Sequence, residues 1–139
     1  MDQVRPSVLL VDDSGKDRAI LRRLLEEDGV QVAGEAGDGL EAVELAWTLD
    51  PDVVLMDLRM PDMDGFEATR RIVQAHPRTQ VLILTAYDDE RLDRSALEAG
   101  AYAYLVKGCS ISFIHDMIAQ ASKFKAGLEE AHALPIKPF

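Results

Sequence analysis

The sequence predicts an α/β fold, a doubly wound sheet of five parallel strands with helices on both faces. Three observations predict it. Short runs of uninterrupted apolar side chains recur along the chain, as strands buried on both faces require. Segments with helical apolar spacing alternate strictly with those runs, and such alternation means a parallel sheet. A length of 139 residues with 47% hydrophobic residues suits one domain with one proper core.

Taken in order, Val8-Leu9-Leu10-Val11 is the first strand. Ser14, three residues before Asp17, is placed to cap the next helix. There Ile20, Leu21, Leu24 and Leu25 recur at helical spacing until Gly29 stops the run. Val30 to Ala33 reads as a second, weaker strand. Asp38-Gly39 turns the chain into a helix with Leu40, Val43 and Trp47 on one face, closed by Pro51. Val53 to Met56 makes the third strand, and Phe66, Thr69, Ile72 and Val73 mark a helix that ends before Pro77. Val81 to Leu84 is the fourth strand. A helix then runs to about Leu97 and stops at Gly100, and Tyr102 to Val106 form the fifth strand. The last helix begins near Ser110 or Ser112 and carries Phe113, Met117, Ala121, Phe124 and Leu128. The domain is expected over residues 1–130, with 131–139, which hold Pro135 and Pro138, as a flexible tail or linker remnant.

Composition removes several function classes. A net charge of −10 argues against binding nucleic acid or an anionic membrane through the general surface. The single cysteine, Cys109, excludes an internal disulfide and a cysteine-cluster zinc site, and His76, His115 and His132 are too scattered for a metal motif. No apolar run approaches the roughly 20 residues of a membrane span, and Met1 to Pro6 lack a signal peptide's apolar stretch. A soluble protein of the cytoplasm is expected. The charge is also lopsided: residues 1–70 hold 17 acidic and 7 basic side chains, whereas 71–139 hold 8 of each.

Where the acids fall gives the main clue. Asp12 and Asp13 follow the first strand directly, and Asp57 follows the third. Open parallel sheets bind ligands beyond the carboxyl ends of their strands, where the strand order reverses. With the order 2-1-3-4-5, strands one and three are neighbours and the three aspartates converge. Clustered carboxylates repel and call for a cation, and an all-oxygen donor set favours Mg²⁺, with Mn²⁺ as the other candidate. Any one of these aspartates alone could simply cap the next helix. Thr85 and Lys107, at the ends of strands four and five, could hold the oxygens of a phosphoryl group. No general base or separate nucleophile accompanies them, which leaves a carboxylate able to form an acyl phosphate.

Four motifs carry a resemblance: Asp12-Asp13, then Asp57-Leu58-Arg59-Met60-Pro61-Asp62-Met63-Asp64-Gly65, then Leu84-Thr85-Ala86, then Tyr104-Leu105-Val106-Lys107. Together they resemble the motif set of bacterial two-component response-regulator receiver domains, over about residues 6–128. The resemblance implies a flavodoxin-like fold and a phosphoacceptor role for Asp57, supplied by a sensor histidine kinase or phosphotransfer protein. It implies Mg²⁺ held by Asp13, Asp57 and the Arg59 backbone carbonyl, with Asp12 assisting through water. It further implies that Thr85 binds a phosphoryl oxygen, that Lys107 pairs with the phosphate, and that Tyr104 is an aromatic switch acting with Thr85. The protein would then not be an enzyme beyond its own phosphorylation and dephosphorylation.

The stretch Val32 to Gly39 is similar to the subfamily usually joined to a helix-turn-helix domain, so an output domain or protein is an expected partner. Too few residues follow the fifth helix for such a domain. Direct nucleic-acid binding by this chain and membrane contact are not expected, whereas a homodimer on phosphorylation is, through Phe113, Met117, Phe124 and Leu128. Where this family often has proline after the lysine, Gly108 stands here and excludes a cis-proline turn. Two other readings stay open: a receiver-like docking adaptor that works without phosphorylation, and a Mg²⁺-dependent aspartyl-phosphate hydrolase. The hydrolase is disfavoured because position 59 is arginine rather than a second acid.

Overall fold

Five strands and five helices alternate as expected in a computed structural model that describes residues 5–133. They are β1 Ser7–Val11, α1 Gly15–Glu27, β2 Gln31–Ala36, α2 Gly39–Leu49 and β3 Val53–Met56. Then come α3 Gly65–Ala75, β4 Gln80–Thr85, α4 Glu90–Glu98, β5 Ala103–Val106 and α5 Ile111–Ala133. All pairs are parallel and the order is β2-β1-β3-β4-β5, so the predicted doubly wound topology is the observed one.

Alternation along the strands builds two cores. Leu9, Val11, Val54, Met56, Val81 and Ile83 face α2, α3 and α4, where Ala42, Ala46, Ala68, Ile72 and Ala96 meet them. Val8, Leu10, Val53, Leu55, Leu82 and Leu84 face the other way, onto Leu25 of α1 and Ile114, Ile118 and Ala121 of α5. Each fully buried leucine or isoleucine contributes about 1.5–3 kcal/mol by leaving water, and these strand residues are the largest such group.

Two expectations need correction. The second strand runs to Ala36 rather than ending at Ala33, because a register shift between Val8 and Leu9 skips Ala33 and lets Gly34, Glu35 and Ala36 pair with Leu9, Leu10 and Val11. In α2 the buried face is Ala42 and Ala46, while Leu40 and Trp47 are exposed, Trp47 at 68%. The alanines bring the helix close to the sheet, and the Trp47 ring lies 4.9 Å from His76 instead. In α5 the inward row is Ile114, Ile118, Ala121 and Lys125, whereas Phe113 and Phe124 are exposed.

Lys125 completes that inward row. Its ammonium reaches the Pro51 carbonyl at 3.3 Å and the Asp52 carboxylate at 3.4 Å, and Asp52 in turn accepts the Ser7 N–H at 3.0 Å. A lysine stem packs as an apolar chain while its head finds oxygens, so a charged residue occupies a core position. α5 continues to Ala133, into the segment expected as a tail over 131–139. The rest of that tail lies outside the described residues. Among the described residues, no helix is long and apolar enough to cross a membrane.

Candidate functional site

Aligned strand ends assemble the site. Val11 pairs with Met56, so the next residues, Asp12 and Asp57, emerge side by side; Thr85 pairs with Val106, so Lys107 emerges beside them. One carboxylate oxygen from each of Asp12, Asp13 and Asp57 lies within 4.8 Å of the others. The Lys107 ammonium stands 3.1 Å from Asp12 and 3.8 Å from Asp57. Asp12 is buried, Asp57 half-buried and Asp13 exposed, so the cluster opens to solvent on one side.

None of the three aspartates caps a helix. Ser14 caps α1 by accepting the Asp17 N–H, and Asp64 caps α3 by accepting the Glu67 N–H. Asp12 instead accepts the Ser14 N–H at 2.9 Å, and Asp57 accepts the Leu58 N–H at 2.9 Å. The helix-cap alternative thus belongs to Asp38, Asp64 and Asp89 rather than to these residues.

Two local devices hold the cluster in place. The loop after Asp57 folds back so tightly that Gly65 donates its N–H to the Leu58 carbonyl at 2.9 Å, and a side chain at 65 would lie 2.3 Å from the Asp57 carbonyl oxygen. After Lys107 the chain turns through Gly108 at a φ of 104°, a left-handed conformation that suits glycine; no peptide bond among the described residues is cis.

Burial, with the Asp12 and Asp13 charges, raises the Asp57 carboxyl above the ordinary aspartate range against the opposing pull of Lys107 and the Leu58 N–H. Burial works against the Lys107 ammonium, but the hydrogen bond to Asp12 and the charges of Asp57 and Asp12 outweigh it and raise its pKa. Three converging carboxylate oxygens with one ammonium beside them suit a hard divalent cation.

Thr85 is fully buried, and its hydroxyl oxygen accepts the Tyr87 N–H at 3.3 Å. Tyr104 is half-buried against the α2–α3–α4 core, and its hydroxyl donates to the Tyr87 carbonyl. The Arg59 guanidinium lies over the Tyr87 ring, 4.2 Å from its centre.

Sequence reasoning missed Tyr87. It also missed Arg18, which donates to the Asp12 carbonyl at 2.6 Å and to Glu35 at 3.0 Å. Their contacts join residues far apart in the chain or on different elements, so no local spacing signalled them.

Residues 8–119 match the response regulator receiver domain family. The chain is a response-regulator receiver domain. Receiver domains are signalling modules of two-component systems, and response regulators interact with histidine kinases and output domains. This receiver is 43% identical to the transcriptional regulatory protein LiaR of Bacillus subtilis over 123 residues, which cover 88% of the chain and 58% of LiaR. It is 35% identical to the chemotaxis protein CheY of Thermotoga maritima, covering 84% of the chain and 97% of CheY. The solved response regulator domain of Thermotoga maritima CheB matches at a TM-score of 0.80 and 32% identity, over 86% of this chain and 98% of that one. The receiver spans 50–58% of the transcriptional regulatory proteins LiaR and PdtaR of Mycobacterium tuberculosis and of the response regulator GacA of Pseudomonas viridiflava. It carries the kind of acidic cluster through which receiver domains bind Mg²⁺.

The arginine pair that braces this receiver's Asp12 side gives a pH prediction. Glu35 accepts from Arg22 at 2.8 Å as well as from Arg18, and the Arg22 hydrogen bond chiefly lowers its carboxyl below the usual range. A depressed carboxyl contributes stability above its unfolded pKa of about 4.3 and loses it as pH falls through the folded value. Because the group is largely solvent-screened, Glu35→Gln is expected to cost about 0.5 kcal/mol at pH 7, and less as pH drops below about 4. Urea unfolding at both pH values checks this; an equal gap at both would contradict it.

Proposed function

We propose that this receiver takes a phosphoryl group onto Asp57 from a histidine kinase or phosphotransfer protein, and switches conformation to control an output domain or protein. The supporting observation is the placement of the half-buried Asp57 carboxylate beside two further carboxylates and the Lys107 ammonium at the open edge of the sheet. A carboxylate oxygen of Asp57 attacks phosphorus, the donor's N–P bond breaks with its electron pair leaving on the histidine nitrogen, and an acyl phosphate results.

Asp12, Asp13, Asp57 and the Arg59 backbone carbonyl would hold Mg²⁺, or Mn²⁺ in its place, and the ion supplies positive charge to a site an anion must enter. Lys107 shifts from its carboxylate partners to the incoming phosphoryl oxygens. The Thr85 hydroxyl, already accepting from Tyr87, keeps its proton for a phosphoryl oxygen. Drawing that hydroxyl inward moves the Thr85–Tyr87 segment, and with it the carbonyl that holds the Tyr104 hydroxyl. The face of α4, β5 and α5 is therefore the surface the switch remodels. Its chemistry goes no further than the receiver's own phosphorylation and dephosphorylation, in the cytoplasm, where the kinase's phosphodonor stands.

Phosphorylation is further proposed to strengthen low-affinity self-association, supported by the exposed Phe113 and Phe124 rings on α5. Similarity to transcriptional regulators supports a transcriptional output rather than direct nucleic-acid contact by this receiver.

Thermal melts test the metal half of the reading. Millimolar Mg²⁺ is expected to raise the melting midpoint at pH 7, because an ion at ten times its Kd adds about 1.4 kcal/mol and relieves the empty cluster's repulsion. Asp13→Ala is expected to lose most of that rise. A parent midpoint that ignores Mg²⁺ would count against the site.

A further inference from the structure

Tyr87 touches three functional elements at once, through three different parts of the residue. Its N–H donates to the Thr85 hydroxyl oxygen, its carbonyl accepts the Tyr104 hydroxyl, and its ring lies beneath the Arg59 guanidinium. The backbone contacts are available to any residue at this position. The ring contact is not, and it alone reaches the loop after Asp57.

Arg59 makes that contact informative. Its guanidinium follows an acidic cluster in the chain by two residues, yet among the described residues it forms no ion pair with Asp12, Asp13 or Asp57. Pairing with none of the three carboxylates, the guanidinium lies instead over the Tyr87 ring face at 4.2 Å. Both side chains are exposed, so the stack resembles a surface clasp between two loops rather than part of the core.

We propose that Tyr87 is a positioning residue whose ring clasps Arg59, so that metal binding at the loop after Asp57 is felt directly at Tyr104. This rests on the metal reading above, in which the Arg59 carbonyl is a ligand. Fixing the Arg59 side chain restricts the backbone that presents that carbonyl. When the loop moves to accept the ion, the ring moves with it, and the Tyr87 carbonyl carries the Tyr104 hydroxyl along. The coupling is reciprocal, so Tyr104's position also alters metal affinity.

The test uses substitutions that keep the backbone and change only the ring. Tyr87→Phe retains the aromatic face; Tyr87→Leu removes it and leaves an apolar side chain of moderate size. Arg59→Leu breaks the clasp from its other side while keeping the carbonyl. Each full chain, with labelled tyrosine, is titrated with Mg²⁺ while the Tyr104 ring signals are followed by NMR.

Parent and Tyr87→Phe are expected to bind the ion alike and to shift the Tyr104 signals. Tyr87→Leu and Arg59→Leu are expected to bind roughly two- to fivefold more weakly, the worth of an exposed cation–π contact, and to leave Tyr104 near its metal-free position. Parent-like affinity and a parent-like Tyr104 response in both leucine variants would overturn the proposal while leaving the metal site standing. A parent that binds no Mg²⁺ would remove the metal reading itself, and this proposal with it.

Discussion

Gly65→Ala is expected to lower the unfolding free energy by about 1–3 kcal/mol and to cut phosphoryl uptake, although it adds one methyl group. The methyl carbon would sit 2.3 Å from the Asp57 carbonyl oxygen and 3.0 Å from the Leu58 Cα. Both are backbone atoms and cannot rotate away, so relief comes only by displacing the strand end that aims Asp57. Gly127 supplies the contrast. It lies inside α5 with nothing within 4 Å of an added Cβ, so Gly127→Ala is expected to stabilise by about 0.5–1 kcal/mol. Denaturant unfolding of the two variants gives opposite signs if the packing account holds. A Gly65→Ala chain within 0.5 kcal/mol of the parent would contradict it.

Lys107→Met should leave the fold intact and slow phosphorylation of Asp57 by about 10²- to 10³-fold, the usual cost of one preorganised donor to developing charge. Methionine keeps most of the stem's packing volume, so the change isolates the ammonium. Without it, Asp12 and Asp57 lose the cation 3.1 and 3.8 Å away, and the Asp57 carboxyl is expected to rise further above its ordinary range. Uptake from a small phosphodonor, timed at saturating Mg²⁺, measures the effect. Parent-like rates would remove Lys107 from the chemistry and reduce it to a structural counter-ion.

The topology was legible because it is written in strand residues. Val8 to Val11, Val53 to Met56 and Val81 to Leu84 are apolar on both faces, and only a parallel sheet covered on two sides explains that. The site residues Asp12, Asp13, Asp57, Thr85 and Lys107 were legible for a related reason: each stands at or directly after a strand end, where register alone decides proximity.

Helix faces were harder. Ala42 and Ala46 give a weaker apolar signal than Leu40 and Trp47, yet the small side chains are the ones that let α2 approach the sheet. The place of Lys125 in the inward row of α5 was not legible, because its oxygens come from Pro51 and Asp52, more than seventy positions away in the chain. Tyr87 was illegible for the same reason. Its partners Arg59 and Tyr104 sit on the loop after β3 and on β5, and no local pattern announces such a meeting.

The most direct test of the phosphoacceptor reading is intact-mass analysis of the chain after incubation with a small phosphodonor, with and without Mg²⁺. The reading predicts one added phosphoryl group per chain in the presence of the ion, little without it, and none in Asp57→Asn. Labelling of Asp57→Asn to the parent's extent, or equal labelling with and without Mg²⁺, would contradict it.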